Sequence, residues 1–104
     1  MKAATKRTLT AAGWRIGSAR EFLGLSDAEA ALVQVKLVLT DALRRSRAAR
    51  GISQIELAER MRSSQSRVAK IEAGDPSVSL DLIVRALIAA GATTRDIGRA
   101  LARS

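Results

Sequence analysis

The sequence predicts an all-α domain of five helices, the first of them extended and preceded by an N-terminal arm. Three observations predict it. Hydrophobic residues make up 47% of the 104, yet only Trp14 and Phe22 are aromatic. A core built from Leu, Ile, Val and Ala suits helix-on-helix packing better than a sheet. No window alternates apolar and polar residues over a strand's length, and Ser or Thr caps and glycine stops recur from Ser26 onward. The length suits one small domain, expected over residues 26–104, with residues 1–25 as the arm.

In the arm, Gly13, Gly17 and Gly24 interrupt any long helix, while Trp14, Ile16, Phe22, Leu23 and Leu25 require burial. Two destinations stand open for these side chains. Either the arm folds back onto Val33, Leu37 and Val38 of the following helix, or it meets a second protein. Ser26-Asp27-Ala28-Glu29 is a capping box that opens the first helix. The chain then runs without Gly or Pro to Arg50, and Gly51 ends a helix of about 24 residues. Leu32, Val35, Leu39 and Leu43 line one of its faces.

A second capping box, Ser53-Gln54-Ile55-Glu56, opens a short helix to Met61 whose inner residues are expected to be Ile55, Leu57, Ala58 and Met61. Ser64 caps a third helix, Gln65 to Ala73, closed by Gly74 with Pro76 beyond. The fourth runs from Ser79 to Ala90 and stops at Gly91. Thr93 to Asp96 caps a fifth that holds Ile97 and Leu101.

Composition removes several function classes. There is no Cys and no His, hence no thiolate or imidazole metal site, no Cys nucleophile and no Ser-His-Asp arrangement. No polar groups converge on Glu56, Glu59 or Glu72 in the manner of an acid–base pair, so caps and an ion pair account for them. Gly13-x-x-x-Gly17 has no strand before it and no Lys after it, so it is not a phosphate loop. The expectation is a non-enzyme without cofactor or metal. No signal peptide or membrane span is visible, which makes the cytoplasm the expected location.

The formal net charge is +8, and its distribution carries more than its size. Between Leu43 and Gly74 stand eight basic residues (Arg44, Arg45, Arg47, Arg50, Arg60, Arg62, Arg67, Lys70) and three acidic ones (Glu56, Glu59, Glu72), a net +5. Within that stretch the second and third helices are separated by little more than Arg62 and Ser63, and so short a turn forces a steep crossing. Ala58 supplies the small side chain that the crossing needs. Val68 and Ile71 face inward, which turns Gln65, Ser66, Arg67 and Lys70 outward, able to bond base edges and phosphates. For Arg44 and Arg45 two readings are equal: phosphate contact, or complementing the dipole at their own helix's end.

Ser53 to Ala58, Ser64 to Gly74 and Ser79 to Ile83 resemble the phage repressor/Cro type of helix-turn-helix protein, the xenobiotic-response-element family. The resemblance covers roughly residues 40 to 91, with the helix-turn-helix unit at 53–74. It implies a repressor-like domain in which Gln65 begins the recognition helix in the major groove. It further implies that Gln65, Ser66 and Lys70 face bases, and that Gln54, Ser64 and Arg67 lie at or near phosphate. Arg47 and Glu72 would form a structural ion pair. One position departs from the family's pattern: Arg62 stands where the turn usually has Gly. The implied function is a sequence-specific regulator, a repressor that binds double-stranded operator DNA as a homodimer, the last helix around Ile97 and Leu101 being its expected dimer surface. The alternative is an antitoxin that represses its own operon and masks a toxin protein. That alternative rests on the likeness of the arm and the alanine-rich first helix to small regulators encoded beside such toxins.

Overall fold

A computed structural model describes residues 26–103. Among them lie five helices and no strand: α1 (Asp27–Ala49), α2 (Gln54–Arg60), α3 (Gln65–Glu72), α4 (Leu80–Ala89) and α5 (Thr94–Arg103). Each begins where its cap places it. Ser26 and Glu29 exchange backbone-to-side-chain bonds of 2.9 and 3.1 Å, and Thr93 and Asp96 do the same at 2.8 and 3.1 Å. Ser53, Ser64 and Ser79 accept from the amides of Glu56, Arg67 and Leu82. The Ser53 box is only half made, because the Glu56 carboxylate turns to Arg60 at 3.0 Å.

The chain divides into two compact units, Met1–Gln34 and Val35–Ser104. Of the first, the described part is the capped start of α1. The arm's apolar residues, Trp14 among them, lie outside the described residues. The second unit holds the core, in which Leu39 and Leu43 of α1, Leu57 of α2, Val68 and Ile71 of α3, and Ile83 and Leu87 of α4 are fully enclosed. α2 packs on α3 and both pack on α4, with Ala58 buried.

Two apolar residues differ from expectation. Ile55 is 56% exposed, because Leu57, Ala58 and Met61 define the inner arc of α2 and Ile55 lies about 110° from its centre. Leu32 is 45% exposed and does not continue the buried stripe of Leu39 and Leu43. On α5, Ile97 is partly buried against the core and Leu101, one turn on, is more than a third exposed.

The turn between α2 and α3 closes with Arg62 at φ +54°, its amide donating to Glu59 O and that of Ser63 to Ala58 O at 2.8 Å. Gly51, Gly74 and Gly91 serve the other left-handed positions. A side chain in this region costs about 1–2 kcal/mol, and glycine's extra backbone entropy takes back about 0.5–1. Arg62 is exposed, so Arg62→Gly is expected to stabilise the domain by roughly 0.5–1 kcal/mol. Thermal melting checks it; an unchanged or lower midpoint would show that the arginine side chain itself stabilises the turn.

Candidate nucleic-acid interface

α3 is amphipathic. Val68 and Ile71 are at 0% exposure, which rotates Gln65, Ser66, Arg67 and Lys70 into solvent along the opposite face. Beside that face a cleft of about 630 Å³ separates α3 from the start of α4. Ser64, Ser66, Arg67 and Lys70 form one side of it, and Ser77 and Ser79 belong to the other. Six arginines elsewhere (Arg44, Arg45, Arg47, Arg60, Arg85, Arg99) are paired with carboxylates. Among the described residues Arg67 and Lys70 pair with none. Unpaired cations and serine hydroxyls lining one concave surface are suited to phosphate oxygens. The Ser79 hydroxyl accepts the Leu82 amide and keeps its proton for a ligand, whereas the Ser77 hydroxyl donates to Asp75 at 2.6 Å. That bond, with a second from the Ser77 amide, holds the Asp75 carboxyl below its usual range.

Behind the face lies a polar chain that ends on it. Glu72, 5% exposed, accepts from Arg47 Nε at 2.6 Å and Arg47 Nη2 at 2.8 Å. Arg47 Nη1 donates to Ile52 O at 3.0 Å. Gln54 Nε2 also donates to Glu72, at 3.0 Å, and its Oε1 receives Gln65 Nε2 at 3.5 Å. Burial pushes the Glu72 carboxyl up, but the hydrogen bonds from Arg47 and Gln54 and the charges of Arg47 and Arg44 outweigh it and hold the carboxyl below its ordinary value. The bond to Glu72 correspondingly raises Arg47.

The structure thus brings Gln65, Ser66, Lys70, Ser64 and Arg67 onto one surface, joins Arg47 to Glu72, and puts Gln54 half-buried between the two sets. Gln54, expected at phosphate, has one amide N–H engaged by Glu72. Arg44 and Arg45 each have a partner within the chain. Arg44 Nη1 donates to the Glu72 carbonyl, capping the C-terminal end of α3 rather than of its own helix. Arg45 pairs with Asp41 at 2.5 Å and faces a groove that no residue of α2 or α3 lines. Ser77 and Ser79 were missed as members of the cleft. Ser79 is visible in sequence only as a cap, and two serines flanking Val78 are too weak a signal to place beside α3.

Residues 43–97 match the sequence profile of the Cro/C1-type helix-turn-helix family. The chain belongs to that family. The matched segment holds the last turns of α1, all of α2, α3 and α4, and the start of α5, and so includes the whole surface described above. No curated protein and no solved structure matched the chain at a significant level. As a member of this helix-turn-helix family the protein is a DNA-binding transcriptional regulator. No described helix is long and apolar enough to cross a membrane.

Proposed function

We propose that this regulator is a cytoplasmic repressor that occupies a near-palindromic operator as a homodimer. The observation that carries the reading is the outward face of α3, where Arg67 and Lys70 stand without carboxylate partners beside a serine-lined cleft. In this reading Gln65, Ser66 and Lys70 meet base edges in the major groove, while Ser64, Arg67 and Ser79 meet phosphate. Gln54 orients Gln65 from behind and keeps a second amide N–H for backbone phosphate. One eight-residue helix reads too few base pairs for specificity, so two copies are required, with half-site centres about 34–36 Å apart.

Selection of bound duplexes from a random library tests the reading, since it yields both the motif and the half-site spacing. Gln65→Ala is expected to relax preference at one base position and to weaken specific binding by roughly 1–3 kcal/mol. Arg67→Ala should weaken binding to all sequences alike and lower the salt slope by about 0.9. If Gln65→Ala kept the parent's full preference at every position, α3 would not be the reading helix. A protein that stays monomeric on DNA in light scattering would remove the dimer.

A further inference from the structure

We propose that the groove between α1 and α5 is a docking site for an acidic amphipathic helix of a partner protein. The groove, about 590 Å³, follows α1 from Val38 to Arg50, roughly 18 Å at the helical rise. Its floor is apolar, made by Val38 and Ala42 of α1, Leu87 and Ala92, and Ile97 and Ala100 of α5. Four arginines rim it (Arg45, Arg50, Arg99, Arg103) against two carboxylates, Asp41 and Asp96. Both carboxylates are already engaged, Asp41 by Arg45 at 2.5 Å and Asp96 by Arg99 at 2.7 Å. Arg50 and Arg103 have no carboxylate partner among the described residues.

Arg50 is nevertheless held in place. Its Nη1 donates to Ser46 Oγ at 2.6 Å, and its side chain crosses Gly91 so closely that a Cβ there would meet Nε at 2.7 Å. A cation fixed in advance at the end of a groove loses little freedom when an anion arrives. No residue of α2 or α3 lines the groove, so it is separate from the surface assigned to DNA.

Charge and length select the occupant. Residues 1–25 carry five basic residues (Lys2, Lys6, Arg7, Arg15, Arg20) and one acidic, Glu21, the same sign as the rim. A second copy would bring the same four arginines against these, and like charges face to face oppose association. Eighteen or so ångströms is about three turns of helix, whose apolar residues at i, i+3, i+4 and i+7 match an elongated apolar floor. Carboxylates flanking that stripe meet the arginine rim. The fit is to a different, acidic chain.

The test titrates the full chain with a synthetic helix of about 18 residues that carries leucine on one face and glutamate on both flanks. Anisotropy gives the affinity at physiological salt, and amide chemical shifts give the place. Saturable one-to-one binding is expected, with shifts centred on Val38, Ala42, Ala92 and Ala100. The double variant Arg50→Glu with Arg103→Glu, both exposed positions, should weaken binding at least about ten-fold. Arg67→Ala should leave it unchanged. Any of four results overturns the proposal: no saturable binding, equal binding by the peptide with glutamine for glutamate, shifts centred on α3, or displacement of the peptide by a short DNA duplex. If the charge reversals unfold the chain, the shift map on the unaltered chain decides. The inference is independent of the operator reading, whose DNA-binding measurements succeed or fail separately.

Discussion

Arg47→Met destabilises the domain by about 3–5 kcal/mol, because it leaves the Glu72 carboxylate buried without its principal partner. The geometry sets the expectation at the high end. Glu72 is 5% exposed, and both its oxygens are held by Arg47 at 2.6 and 2.8 Å. Gln54 and the charge of Arg44 do not replace those two bonds. Glu72→Gln should cost less, since the stranded Arg47 is 22% exposed and reaches water. The double variant should cost less than the sum of the two, with a coupling of roughly 0.5–3 kcal/mol. Urea melts of the three variants measure it. Small additive losses would mean that the pair behaves as a surface pair, worth under about 1 kcal/mol.

The same pair predicts an acid limb. The Glu72 carboxyl is lowered in the folded chain, so its contribution is fully present above the unfolded value of about 4.3 and is lost as pH falls through the folded one. The stability gap between the parent and Glu72→Gln should therefore hold at neutral pH and close progressively below about pH 4. A gap constant to lower pH would assign the loss to packing rather than charge.

Leu57→Ala is the second large effect, expected at about 2–5 kcal/mol, while Ile55→Ala two residues away stays within about 0.5. Leu57 is at 0% exposure and sits in the core where α2 meets α3 and α4. Removing it leaves a cavity at the junction that seats α3. DNA binding should fall with the folded fraction and return when the temperature is lowered. Ile55, 56% exposed, leaves no cavity. Equal losses at the two positions would mean that α2 is rotated from the orientation described.

Local chemistry was legible throughout. The Ser26–Glu29 and Thr93–Asp96 boxes, the serines that open α2, α3 and α4, and the glycines that close α1, α3 and α4 all act within about five residues of their own position. Spacing therefore locates each helix, and the short turn after α2 makes a helix-turn-helix of them. The outward set on α3 was legible for the same reason, because two buried positions, Val68 and Ile71, set the rotation of eight residues. Arg62 was legible as an oddity, and the structure gives it the positive φ that the position demands.

What only the tertiary structure decided depends on partners distant in sequence. Ile55 and Leu57 are both apolar neighbours on one short helix, and the sequence has no means of saying which one α3 and α4 enclose. Arg44 reaches a carbonyl 28 residues away and Gln54 a carboxylate 18 residues away, so the charge near each in sequence is a poor guide to its use. Ser77 and Ser79 join Arg67 and Lys70 only because α4 folds back beside α3, and the α1–α5 groove exists only because residues of both helices come to line one surface with Leu87 and Ala92. By itself the sequence determined five capped helices, the helix-turn-helix and the polar face of α3, since those follow from contacts within a turn or two of helix. Which side chains line each cleft was left to packing, because burial depends on what the rest of the chain brings to each face.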